Sequence, residues 1–484
     1  MRLHELILGI YTKPLHESYK DFNVMTVSCD SREEQKDGLF VALPGGKFNG
    51  EDFIKDAIAR GAKIIVRKPG GPPFKDICVL EVDDPKAFLH NIGLKFYASP
   101  SKKIKTIGVT GTNGKTTITY LIESIIRAAG KRCGVIGTIN HRIGGEIIPS
   151  KNTTPGFLDN QRYLAQLVAS KIDYCVMEAS SHALVQERLG GINFSAAIFT
   201  NLTQDHLDYH KTMENYFEAK ALLFKNLSSK SVSIINIDDD YGKLLLGMTK
   251  GRVLTYAIGR PADVCAQGIT YHLNGTSFEI SFTGGRVRIN TRFIGKHNIY
   301  NILAAFAWGL SQGFSADILC RGIEKLVHVP GRLEPVDNAQ GIYIFIDYAH
   351  TDDGLINVLK ALKAVSKARV ILVFGCGGDR DRTKRPKMAQ AACSLADFSI
   401  VTSDNPRSED PQAIINEIIS GFADPNFEVC VDRKEAIGRA LKLAKKNEIV
   451  LIAGKGHEDY QIFKDRTIVF NERKIINECL QLMK

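Results

Sequence analysis

Apolar residues recur along this chain at two periods. Between Lys115 and Gly130, Ile118, Leu121, Ile122, Ile125, Ile126 and Ala129 fall at helical spacing, which predicts a helix with one apolar face. Thr106–Thr110 ahead of it is a β-branched run and predicts a strand. Further strands are expected at 174–177, 196–200 and 232–237. Beyond Pro330, Gly331 and Arg332 the alternation is regular, with apolar runs at 342–346, 369–374, 398–402, 427–431 and 449–453 and helical segments between them. That pattern predicts a parallel, doubly wound sheet. Nearer the N-terminus the pattern is mixed: strands at 39–43 and 62–66, a turn from Pro44 to Gly50, a helix over 53–60, and a linker from Tyr97 to Lys103.

The strand at 106–110 runs into Gly111, Thr112, Asn113, Gly114, Lys115, Thr116 and Thr117 at the head of the helix. Glycines let backbone N–H groups turn inward, and the helix N-terminus adds positive potential for phosphate oxygens. Lys115 then reaches the outer phosphates and the Thr116 hydroxyl suits Mg²⁺. The usual spacing of such loops asks for glycine at 109, where this chain has Val109. The expected fold is α/β in three domains: 1–98, a central phosphate-loop ATPase-type parallel-sheet domain over 99–333, and a Rossmann-like doubly wound domain over 334–484. The length of 484 residues agrees.

In a doubly wound sheet, ligands sit outside the carboxyl ends of the strands. The loops expected there carry Asp347–His350, Gly375–Arg380, Asp404, Asn405, Pro406 and Arg407, and Gly454–Glu458. Four polar loops on one edge mark a binding site. Glu178 and His206 follow strands of the central domain and, read as neighbouring strand ends, place a carboxylate and an imidazole near the phosphates.

Lys and Arg number 63 against 53 Asp and Glu, a net charge of +10. The chain has no long basic run and no stacking motif, so sites for anionic small molecules are expected rather than nucleic acid. Arg380–Lys387, interrupted by Asp381 and Thr383, reads as a local anion site. Ten cysteines are scattered without a C-x-x-C pair, so reduced thiols and no zinc are expected. No apolar stretch approaches the ~18 residues of a membrane span, and the first residues lack a signal-peptide pattern. A cytoplasmic monomer is the expectation.

Gly111–Thr117, Glu178, the run Thr200–His210, Lys220, Gly295–Asn301, Val329–Glu334 and Asp347–His350 together resemble the Mur ligase family, ATP-dependent amide-forming ligases of bacterial cell-wall synthesis. Asp30, Ser31 and Arg32, followed by Gly38–Gly45, resemble its substrate-entry domain, which implies that 1–98 binds a UDP-sugar. The resemblance implies that a carboxylate is phosphorylated by ATP and the acyl phosphate is attacked by an amine. It assigns Lys115 and Thr116 to ATP and magnesium, and Glu178 and His206 to the metals. Lys220 matches a lysine carried as a carbamate, N6-carboxylysine, although an ordinary helix lysine reads the same. Asn298, Arg332 and Asp347 match nucleotide contacts.

Asn152, Thr153, Thr154, Ser180, Gln186 and Arg188 resemble the branch that extends UDP-N-acetylmuramoyl-L-alanyl-D-glutamate, where they and Ser31 would contact that substrate. Asp404, Asn405, Pro406 and Arg407 match the members that add meso-diaminopimelate; lysine-adding members carry a neutral residue in place of the arginine. Diaminopimelate differs from lysine by a distal carboxylate. Arg407 offers it a planar fork and Arg380 a second cation. Glu458 would take the distal ammonium, and Gly454 allows close approach. The alternatives are a lysine-adding sister and a folylpolyglutamate-type ligase.

Overall fold

The computed structural model describes residues 1–45 and 49–483; positions 46–48 of the expected Pro44–Gly50 turn lie outside the described residues. Three main sheets follow in chain order. The first is parallel and in sequence order: Thr26–Ser28, Gly38–Val41, Ala62–Arg67 and Cys78–Glu81. Helix Pro85–Phe96 is capped by the Asp84 carboxylate and buries Phe88, Leu89 and Ile92 against it. The helix expected over 53–60 starts as a 3₁₀ turn, Gly50–Phe53, and continues as Ile54–Ala59. The expected linker is pinned: Pro100 and Ser101 are buried, and Ser101 Oγ accepts from Asn193 N at 3.1 Å. Phe157 of the central region packs into the first core and stacks on His90 with centroids 4.1 Å apart.

The second sheet has a parallel centre in the order Arg252–Ile258, Val232–Asn236, Phe194–Phe199, Lys105–Thr110, Tyr174–Glu178 and Cys133–Ile136. Val264–His272 continues it in parallel, and Gly275–Phe282 and Gly285–Thr291 follow antiparallel. Asn140–Ile143 and Glu146–Pro149 extend the other edge antiparallel. The expected parallel sheet thus forms the centre, and antiparallel strands extend both margins. Helix Lys115–Ala128 buries its predicted stripe against helix Lys296–Ser311. Helices Phe157–Ala169 and Met213–Lys225 cover the opposite face.

The third sheet runs Glu334–Val336, Tyr343–Asp347, Ile449–Ala453, Val370–Phe374, Phe398–Val401 and Phe427–Val429, all parallel except the first. Helices Asp352–Val365, Lys384–Leu395 and Pro411–Ile419 cover one face. Arg433–Leu443 and Glu472–Gln481 cover the other. Burial on both faces explains why its central strands are apolar throughout. A small hairpin, Tyr460–Ile462 with Thr467–Val469, was not foreseen. Among the described residues the ten cysteines are free, and no helix is long and apolar enough to cross a membrane.

Candidate active site

The phosphate loop leaves the middle of the second sheet. Gly111 and Gly114 have φ of +141° and +90°. A Cβ at Gly111 would lie 1.8 Å from Thr200 Oγ1, and one at Gly114 2.3 Å from Asn301 Oδ1. Both turns therefore require glycine. Val109 needs none, because it is a fully buried strand residue one turn too early to shape the loop. Thr112 N and Asn113 N bond to Asn201. Lys115 Nζ folds back on the Gly111 and Thr112 carbonyls at 2.9 Å each. Burial lowers its pKa, and Glu178 and Asp205 oppose that shift.

Glu178 ends its strand directly beside the loop. It accepts from Thr116 Oγ1 at 3.1 Å, Thr138 N at 2.8 Å and Thr138 Oγ1 at 3.0 Å. Thr138 Oγ1 also meets Thr153 Oγ1 at 3.1 Å. His206 adopts φ +55° ahead of the short helix Leu207–His210. Burial lowers its pKa to about 4, so the ring is neutral near pH 7 and its lone pair is available. The sequence puts Glu178 and His206 on neighbouring strand ends; in the structure Lys105–Thr110 lies between their strands. The phosphate loop is thus flanked on both sides.

Lys220 is 1% exposed on helix Met213–Lys225, and its Nζ donates to Gly111 O at 2.9 Å. Burial and the nearby Lys115 push its pKa well down, toward the neutral amine. Among the described residues no group of three or more His, Cys, Asp or Glu forms a ready metal cage. One carboxylate beside two threonine hydroxyls suits a hard cation that completes its shell with phosphate and water.

A cleft of about 510 Å³ joins the loop, Glu178 and His206 to Asn298, Arg332 and Asp347. Asn298 Nδ2 is anchored on Ile294 O at 2.9 Å. Asp347 accepts from Leu333 N and Ala349 N at 2.7 and 2.8 Å. Burial raises its pKa against the pull of Arg332. Arg332 lies over the Tyr348 ring at 4.9 Å and donates through Nη2 to Thr116 Oγ1 at 3.2 Å. Its Nε is buried without a partner among the described residues, as suits a guanidinium awaiting phosphate oxygens. The sequence reading missed Thr138, Tyr348 and Asp353. Asp353 Oδ2 accepts from Asn113 Nδ2 and Thr203 Oγ1 at 3.0 Å each, tying the third sheet's first helix to the phosphate loop. Its only sequence signal is its place in the first turn after Thr351, a helix cap.

Thr154, Ser180, Gln186 and Arg188 form one cluster. Thr154 Oγ1 donates to Glu178 O at 2.7 Å and accepts from Ser180 N at 3.1 Å. Arg188 bonds Thr154 O at 3.1 Å and Gln186 Oε1 at 2.6 Å. Asn152 is exposed on the adjoining loop. Ser31 sits between Asp30 and Arg32, which pair at 2.7 Å. The Arg32 hydrogen bond holds Asp30 below the usual carboxylate range, and the charge of Lys151 adds to that pull.

At the third sheet's carboxyl edge the expected loops meet. Asn405 Nδ2 donates to Glu458 Oε2 at 2.8 Å. Gly454, at φ +121°, leaves room that a Cβ would close to 2.6 Å from Asp404 Oδ2. Pro406 is buried in the same loop, whose Arg407 donates through Nη1 to Gly378 O at 2.8 Å. Among the described residues no carboxylate lies within 4.0 Å of the Arg407 or Arg380 guanidinium; Arg380 is exposed at the lip. The sequence reading missed Lys455, fully buried, whose Nζ bonds Asn405 Oδ1 at 3.1 Å and Glu458 Oε2 at 3.2 Å. Glu458 thus already has one oxygen engaged. Its other oxygen meets Tyr348 OH at 3.4 Å. The hairpin clamps the loop from outside through Gln461 Nε2 to Asp404 O and Arg407 N to Ile462 O.

A glycine-lysine loop at a helix N-terminus, with Glu178 and Arg332 bonded to its Thr116, and a second set of polar loops at the edge of the third sheet suit an ATP-dependent ligase, and the chain belongs to the Mur ligase family. The family's middle domain matches residues 109–309, its glutamate ligase domain 331–456 and its catalytic domain 23–97. A UDP-N-acetylmuramoyl-L-alanyl-D-glutamate--2,6-diaminopimelate ligase of Clostridium tetani is 43% identical over 99% of this chain and 99% of its own. A second, from Clostridium acetobutylicum, is 44% identical over 95% of this chain and 96% of its own. A solved structure of a ligase of the same description has a TM-score of 0.68 at 32% identity and covers 100% of this chain and 99% of its own.

Proposed function

We propose that this chain uses ATP to join meso-2,6-diaminopimelate to the glutamate of UDP-N-acetylmuramoyl-L-alanyl-D-glutamate, releasing ADP and phosphate. The observation that carries the amino-acid choice is Arg407: a half-buried guanidinium without a carboxylate partner among the described residues, on the loop whose Asn405 holds Glu458, a carboxylate with one oxygen lightly held. A distal carboxylate and a distal ammonium complete both.

In this reading the dipeptide's terminal carboxylate oxygen attacks the γ-phosphorus of ATP, and the bond to the bridging oxygen of ADP breaks. The diaminopimelate amine then adds to the acyl carbon, loses a proton, and phosphate departs as the amide forms. The chain's part is positioning and charge neutralisation. Lys115 and Arg332 face the phosphates, and Asn298 and Asp347 the nucleoside. Ser31, Asn152, Thr153, Thr154, Ser180, Gln186 and Arg188 hold the UDP-sugar dipeptide. Thr116, Glu178, His206 and carbamylated Lys220 would hold Mg²⁺, which neutralises phosphate charge. The substrates are small soluble molecules, and the reading places a monomer in the cytoplasm.

The test is phosphate release with ATP and the UDP-sugar dipeptide, supplied with diaminopimelate or with lysine. The expected result is a strong preference for diaminopimelate that Arg407→Ala abolishes. Equal rates in the unaltered protein would overturn the choice of amino acid.

A further inference from the structure

Arg407 is held by a device that reaches well below the pocket surface. Arg407 and Asp379 both adopt left-handed backbone, at φ +52° and +53°, although neither is glycine. Such residues persist only where their surroundings over-determine them. They lie on the two loops that carry the cations expected to read the distal carboxylate, Arg407 and Arg380.

The loops are stitched directly. Gly378 N donates to Asn405 O at 2.9 Å, and Arg407 Nη1 returns to Gly378 O at 2.8 Å. Gly378 allows this approach: a Cβ there would lie 1.9 Å from Pro406 O. Ser408 Oγ and Ser408 N donate to the two Asp379 oxygens at 2.5 and 3.2 Å. Asp379 N donates to Glu409 Oε1 at 2.6 Å.

Beneath them sits Arg385, fully buried on helix Lys384–Leu395. Its two terminal nitrogens grip Glu409 as a fork at 2.8 and 2.9 Å. Nη1 also reaches Glu417 Oε2 at 2.8 Å, and Nη2 reaches Gly377 O at 3.4 Å. Glu409 therefore belongs to the Arg407 loop, accepts from the Arg380 loop, and is fixed by a buried cation. Glu417 takes the same cation and holds Arg382 on the Arg380 loop, but it has no hydrogen bond to the Arg407 loop among the described residues, so it does not link the two.

We propose that Arg385 and Glu409 are positioning residues for the incoming amino acid: their buried fork locks the two loops together and so aims Arg407 at the distal carboxylate. Neither touches substrate. The inference rests on the diaminopimelate reading above. It adds that specificity depends on a pair outside the pocket.

The experiment compares Glu409→Ala with Glu417→Ala, measuring kcat/KM for diaminopimelate and for lysine, the KM for ATP, and thermal unfolding. Both variants remove one carboxylate from Arg385, so both lose stability. Only Glu409→Ala is expected to collapse the diaminopimelate-to-lysine ratio, by roughly a hundredfold as for a misplaced binding group, with the KM for ATP unmoved. If Glu409→Ala does not fold, Glu409→Gln, which keeps the shape and loses the charge, is read in its place. A ratio unchanged in the Glu409 variant, or lowered equally in the Glu417 variant, overturns the proposal while leaving the diaminopimelate reading intact. A wild-type protein without the preference overturns both.

Discussion

Arg332 offers the sharpest test of the nucleotide cleft. It bridges the second and third sheets, lying over Tyr348 at 4.9 Å and donating to Thr116 Oγ1 at 3.2 Å. Its Nε is buried and unpartnered among the described residues, so two N–H directions of one fork are available to phosphate. A charge-assisted hydrogen bond contributes about 1.5–3 kcal/mol. Two such bonds amount to about 3–6 kcal/mol, and about 1.36 kcal/mol corresponds to a factor of ten. Arg332→Ala should therefore lower kcat/KM for ATP by roughly two to four orders of magnitude. The stack on Tyr348 adds about 0.5–2 kcal/mol that is lost even without nucleotide, so the variant should also melt lower. Arg332→Lys keeps a charge but gives up the fork, and should recover only part of the loss. The assay is phosphate release against ATP concentration, with the other substrates saturating. A folded Arg332→Ala with wild-type ATP kinetics would refute the reasoning.

Lys220→Ala is expected to lose activity, and short carboxylic acids to restore part of it by filling the place of the carbamate; full activity in the variant would end that assignment. The stability of the fold should fall as pH drops from about 6.5 toward 4. Burial lowers His141 to about 4, so between those values the unfolded chain binds a proton that the folded one refuses. That stability is fully present above the unfolded value and is lost below it. Urea unfolding at pH 7.5 and 5 should reveal the slope, to which His206 contributes in the same sense, and His141→Phe should reduce it; an unchanged slope in that variant counts against the argument.

The phosphate loop was legible because its chemistry is local: two glycines, a lysine and a threonine between a strand and a helix. The meeting of the polar loops at the third sheet's edge was legible for a topological reason, since alternation of strand and helix forces the loops after 347, 374, 401 and 453 to one edge. Strand order leaves no such trace, so the sequence alone reads Glu178 and His206 as neighbours. The strands of 264–291 escaped because they are half exposed and rich in polar residues, so they lack the apolar runs used to find the others. Lys455 and Asp353 escaped for a different reason. A charge tied into a site is recognised by its partners, and those of Asp353, which is half-buried, lie 150 and 240 residues away.

Tyr348 touches both halves of the proposed site. One face of its ring lies under Arg332 and its hydroxyl reaches Glu458. A phosphate drawing on Arg332 and an ammonium drawing on Glu458 would therefore act on a single rigid aromatic ring. In the proposed reading the nucleotide and the amino acid would be felt by the same side chain, and the tightness with which each is held would become a property of the pair.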